Sequence, residues 1–142
     1  MISEEVYLES LEKLKQKEKL NLEAITNGQQ FEEAYLETLK KAKNENKKIF
    51  LLFYMEGCDG CNVVKYLIDN SKTIKNYLNK YLLLYCDISK TKTGLAQKYN
   101  LYSFPAYFII NSNEKIIKKR FGITVMKDPE RDFLSWLMKN EQ

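Results

Sequence analysis

Histidine is absent from this chain of 142 residues, proline occurs twice, tryptophan once, cysteine three times and glycine five times. Zinc requires four ligands from cysteine, histidine or carboxylate. Without histidine, a zinc site here needs all three thiolates and a carboxylate, or ligands from two chains. Three cysteines do not make a disulfide framework, so cysteine usage leaves the compartment open. No stretch is long and apolar enough to span a membrane. The N-terminus carries no hydrophobic signal core. The chain is expected in the cytoplasm if it is complete, and in the periplasm or another extracytoplasmic space if a leader was removed. Internal repeats and low-complexity segments are also missing.

What is present describes a globular chain with a real core. Apolar residues make up 44% and charged residues 30%. The net charge of +4 is small and scattered. Most lysines lie in helical stretches that also carry glutamate, as in Glu12-Lys13-Leu14-Lys15. That pattern is a solvated face and not a nucleic-acid footprint. No nucleic-acid partner and no integral membrane segment are expected, and the chain is expected to be a monomer.

The centre of the sequence is the run Ile49-Phe50-Leu51-Leu52-Phe53-Tyr54, followed by Met55-Glu56-Gly57 and then Cys58-Asp59-Gly60-Cys61. The unbroken apolar run predicts a strand buried on both faces, in the middle of an α/β sheet. After the cysteines the pattern turns helical, with Val63, Val64, Tyr66, Leu67 and Ile68 among polar residues. Strand, loop and helix place Cys58 near a helix N-terminus. Unpaired N–H groups and the positive end of the helix dipole favour a thiolate there. Taken alone, two cysteines at this spacing are a chance pair, half a metal site or a redox dithiol. Within a βαβ pattern in a chain of this size the redox reading is favoured.

The remaining elements follow from periodicity. Residues 1–28 read as a charged helical extension with a narrow apolar stripe at Val6, Tyr7, Leu11 and Leu14, ended by Asn27-Gly28. A second helix is expected from about residue 30 to 44, with Phe31, Ala34, Tyr35, Leu39 and Ala42 on one face. The domain proper is then 29–142. Ile74, Tyr77 and Leu78 mark another short helix. Tyr81-Leu82-Leu83-Leu84-Tyr85-Cys86 predicts a second buried strand, parallel to the first. Cys86 at its end reads as a small core residue. A short helix over 92–99, with Leu95 and Ala96 inward, leads to a strand opened by Pro105. Asn111-Ser112-Asn113 is a hairpin turn into a half-exposed strand over 115–121. Gly122 marks a bend. Asp128-Pro129 starts a last helix, as N-cap and first helical residue, with Phe133, Trp136 and Leu137 inward.

With C-x-x-C after the first strand and proline before the third, the chain resembles the thioredoxin superfamily. The carrying residues are 53–61, 98–105 and Phe121-Gly122. The helix before the first strand, together with Lys47-Lys48 and the run to Tyr54, is similar to the branch that includes the C-terminal domain of the periplasmic electron-transfer protein DsbD. The resemblance implies a three-layer α/β fold: a central mixed four-stranded sheet flanked by helices, here with an N-terminal helical extension. It implies a cis peptide at Pro105, facing the dithiol, with Phe104, Pro105 and Gly57 bordering the substrate. It implies thiol–disulfide exchange with Cys58 attacking and Cys61 resolving. The dithiol itself is the redox group, so no metal and no organic cofactor is expected. The expected partners are a disulfide-containing protein substrate and a protein that exchanges electrons with it.

Three departures from the family pattern bear on rate and direction. Gly57 stands where thioredoxins mostly have tryptophan. Asp59-Gly60 replaces the common Gly-Pro between the cysteines. Leu52 replaces the buried aspartate that helps deprotonate the second cysteine, which leaves water or Glu56 for that task. Glu56 and Asp59 oppose a thiolate, so the dithiol is expected to lean toward reduction. The other function classes the sequence allows are a binding or adaptor module with an idle dithiol, and a sulfur-carrier or metal-handling role using Cys58, Cys61 and Cys86.

Overall fold

In the computed structural model, residues 3–139 are described. The elements run α1 (Glu4–Glu45), β1 (Lys48–Tyr54), α2 (Asp59–Asn70), α3 (Lys72–Leu78), β2 (Tyr81–Asp87), α4 (Leu95–Lys98), β3 (Ala106–Ile110), β4 (Ile116–Phe121) and α5 (Pro129–Met138). The four strands form one mixed sheet in the order β2-β1-β3-β4. β1 pairs parallel with β2 and antiparallel with β3, and β4 pairs antiparallel with β3. Leu51 and its neighbours from Ile49 to Phe53 are fully buried, as an apolar run between two neighbouring strands requires.

Helices cover both faces of the sheet. On one side α2, α3 and α5 bring Val64, Ile68, Ile74, Phe133 and Leu137 against Phe50, Leu52, Tyr107 and Ile109. On the other, Phe31, Tyr35 and Ala42 of α1 meet Ile49, Leu51, Phe53 and Phe108. Alternation along each strand divides its residues between the two cores. The three-layer fold expected from the sequence is therefore the fold observed.

Two elements differ from the sequence reading. The helix break expected at Asn27-Gly28 does not occur, because α1 runs unbroken from Glu4 to Glu45. A glycine inside a helix costs about 1 kcal/mol relative to alanine, and its reason here is packing. A Cβ at position 28 would lie 1.8 Å from the Lys92 carbonyl oxygen. The helix thus approaches the loop before α4 backbone to backbone. Nearby, the Asn27 side-chain amide donates to the Lys90 carbonyl (3.4 Å), and the Glu32 carboxylate accepts from Thr93 Oγ1 and the Gly94 N–H (2.8 and 3.1 Å). Upstream of this contact Val6, Tyr7, Leu14 and Leu22 are exposed.

The second correction concerns β2. It lies at the edge of the sheet and is not buried on both faces. Its residues alternate in burial, and Leu83 and Tyr85 are 42% and 38% exposed. An apolar run shows that a strand packs well, but it does not show which neighbours the strand has. The hairpin turn at residues 111–113, the Asp128 cap and the burial of Phe133, Trp136 and Leu137 are as the sequence predicts. No helix among the described residues is long and apolar enough to cross a membrane.

Candidate active site

Cys58 and Cys61 are joined as a disulfide with their Cα atoms 5.2 Å apart. β1 ends at Tyr54, and the loop 55–57 turns the chain into α2. Gly57 makes that turn with φ of +76°, a left-handed conformation that favours glycine. Cys58 is then the N-cap of α2, and its sulfur accepts the Cys61 backbone N–H at 3.1 Å. The sulfur therefore sits where the free N–H groups of a helix start converge. Cys58 is half-buried, and Cys61 is fully buried behind it.

A neighbouring turn braces the loop. The Ile88 N–H donates to the Tyr54 carbonyl (2.8 Å), and the Glu56 N–H donates to Ser89 Oγ (3.3 Å). The Asp87 carboxylate in turn accepts the Ser89 N–H at 3.0 Å. In the sequence Ser89 carries only a turn signal, as the end of Asp-x-Ser after a strand.

The Phe104–Pro105 peptide is cis, as the resemblance implies. Gly60 lies directly against it: a Cβ at position 60 would be 3.0 Å from Pro105 Cδ and 3.4 Å from Ile123 Cγ2. Close contact between the first turn of α2 and the proline loop thus depends on the absence of a side chain at position 60. Ile123, missed in the sequence, is a third member of this group. Its only signal there is its place after Gly122, whose φ is +88°. The Gly122 N–H donates to the Pro105 carbonyl (2.7 Å), and the Tyr107 hydroxyl donates to the Gly122 carbonyl (2.8 Å). Phe104 is half-buried and turns toward Ile88 and Leu101, lining an open cleft of about 400 Å³.

Charge at the site is sparse. Asp59 is the first residue of α2 and exposed, and Glu56 is exposed on the loop. A carboxylate in the first turn stabilises the helix start but opposes a thiolate at Cys58. The Lys65 ammonium sits over the Tyr54 ring, 4.1 Å from its centroid. Leu52 lies within the core, so no carboxylate occupies that position. Cys86 packs on the α1 face of the sheet, whereas α2 covers the opposite face. Burial, reinforced by the Asp87 charge, pushes the Cys86 thiol up to about 12. Among the described residues, no three cysteine or carboxylate side chains come together in a metal-binding group.

A family profile described as thioredoxin-like domain matches residues 35–136, and the chain belongs to that family. Solved structures agree on the fold. A thioredoxin from Thermus thermophilus is 19% identical, with a TM-score of 0.58 over 72% of this chain and 80% of its own. A thioredoxin-fold protein from Helicobacter pylori is 21% identical, with a TM-score of 0.53 over 66% and 68%. A disulphide isomerase from Xylella fastidiosa Temecula1 is 19% identical, with a TM-score of 0.52 over 58% and 67%. No curated protein matches the sequence.

Proposed function

We propose that this chain is a thiol–disulfide oxidoreductase that exchanges protein disulfides through Cys58 and Cys61, working toward reduction. The observation that carries the proposal is the half-buried Cys58 at the N-cap of α2, with Cys61 fully buried behind it. Gly60, in the first turn of α2 between the two cysteines, lies directly against cis-Pro105.

In the reduced protein the Cys58 thiolate attacks one sulfur of a client disulfide. The client S–S bond breaks, a Cys58–client disulfide forms, and the other client sulfur leaves as a thiolate that takes up a proton. Cys61 then loses its proton and attacks the Cys58 sulfur. The mixed disulfide breaks, the Cys58–Cys61 bond forms, and the second client sulfur departs reduced. Two electrons have passed to the client, and a redox partner protein restores them through the same steps in reverse. Neither a metal nor an organic cofactor enters the cycle. With Leu52 buried, the proton from Cys61 goes to water or to Glu56.

The direction follows from charge. Strong oxidants stabilise their reduced form by holding the attacking thiolate firmly. Here Cys58 receives the Cys61 N–H, while Asp59 and Glu56 oppose negative charge and the Lys65 ammonium lies over Tyr54. The expected reduction potential is about −270 to −220 mV, at the thioredoxin end of the scale. Equilibration with glutathione measures it, and a value above about −150 mV would overturn the direction. Insulin reduction driven by dithiothreitol tests the activity itself. No turnover, from a protein whose dithiol still cycles, would make the chain an adaptor.

A further inference from the structure

The sheet has two edges, and they are built differently. β4, at one edge, carries Lys118, Lys119 and Arg120 in succession, and its register with β3 slips at Ile109/Ile110. Charge and irregularity of this kind are how proteins protect an open edge from pairing. β2, at the other edge, carries no charge before its last residue, Asp87, and no irregularity. It pairs with β1 in unbroken register from Tyr81 to Asp87, and residues 81–86 include no charge, proline or glycine. In a parallel pair every second residue of the outer strand turns its N–H and C=O away from its neighbour. A regular, apolar row of such groups is a template for another strand.

From these observations we infer that β2 pairs antiparallel with β2 of a second copy of this chain, about a twofold axis, so that two four-stranded sheets join into one. Self-pairing suits the strand in two ways. Lys80 precedes it and Asp87 ends it, so an antiparallel arrangement brings the positive end of each strand to the negative end of the other, whereas a parallel one opposes like charges. Centred on Leu84, the pairing also sets Leu83 opposite the second copy's Tyr85 on one face. These are the two exposed apolar residues of the strand, and cross-strand apolar pairs stabilise sheets. They border a groove of about 300 Å³ lined also by Ile68 and Leu78 and by the polar Asp69, Lys75 and Asn79, which the second copy would cover. The dithiol loop follows β1, one strand in from the join. This dimer would replace the monomer expected from the sequence.

Sedimentation equilibrium of the full chain, in reductant and over about a hundredfold concentration range, tests this. A monomer–dimer equilibrium is expected. Leu83→Lys should raise its dissociation constant about tenfold or more, since lysine on an edge strand opposes pairing. Leu14→Lys, on the exposed part of α1, should leave it unchanged. Tyr85→Lys serves the same purpose if circular dichroism shows Leu83→Lys unfolded. A monomer at every concentration would overturn the inference and leave the edge to an extended segment of another protein. A dimer that survives both β2 substitutions would overturn it equally.

Discussion

Position 60 shows how a single missing side chain shapes the site. Alanine there would place its Cβ 3.0 Å from Pro105 Cδ, so the proline loop or the first turn of α2 must shift. Alanine also improves helix propensity by up to about 1 kcal/mol, which offsets the squeeze. Gly60→Ala should therefore change the urea midpoint little while lowering insulin turnover several-fold; unchanged turnover would mean that the contact with Pro105 does not matter to the client. The two cysteines differ in access, and their substitutions should differ too. Cys61→Ser should accumulate mixed disulfides on non-reducing gels and Cys58→Ser should not, and the opposite pattern would reverse their roles. Cys86 is buried on the far face of the sheet. Cys86→Ala should retain most of the turnover and cost about 1 kcal/mol of stability by chemical denaturation.

Among the elements, α1 depends most on one backbone approach. Gly28→Ala drives a Cβ into the Lys92 carbonyl, which is backbone and cannot rotate away. The expected loss is about 1–3 kcal/mol in urea unfolding, the usual cost of overpacking, despite alanine's better helix propensity. Two carboxylates tie other elements together. Asp132 of α5 accepts from Arg120 of β4 at 2.6 Å and from the Thr124 N–H at 2.9 Å. Burial raises its pKa, but the Arg120 and Thr124 bonds outweigh burial and hold it below the ordinary value. Glu114, beside the hairpin turn, is lowered chiefly by Lys98 and then by the Tyr35 hydroxyl of α1, 2.6 Å away. A carboxylate with a depressed folded pKa contributes stability that is complete above its unfolded pKa and is lost as pH falls through the folded one. Stability should thus decline on acidification below about pH 4.5. Asp132→Asn should flatten that decline in urea midpoints measured against pH.

For the whole molecule, the two ends of α1 differ in their contacts. Exposed Val6, Tyr7, Leu14 and Leu22 add little to the core, while the contacts with the sheet domain gather from Asn27 onward. Removing residues 1–25 should leave the unfolding free energy within about 0.5 kcal/mol of the full chain, the usual range for surface changes. A deletion that also takes Phe31 should cost several times more, because that ring packs on Phe53. A large loss from the shorter deletion would show that the arm is part of the folded unit.

By itself the sequence determined the elements that announce themselves locally. Five of them are clear: the double-faced apolar run of β1, the Cys58–Cys61 pair at a helix start, the proline before β3, the Asn111 turn and the Asp128-Pro129 cap. Each is specified within a few residues, by hydrophobic period or by the backbone preference of one side chain. The tertiary structure decided what depends on distant partners. Asn27-Gly28 has the composition of a break, yet it is a helical contact point, because the reason for Gly28 is a carbonyl 64 residues away at Lys92. β2 reads as an interior strand, yet it is an edge, because strand order is not written in a strand's own residues. Ile123 and Ser89 join the site only through the fold. Burial and side-chain period are local properties of a chain, whereas adjacency is a property of its packing.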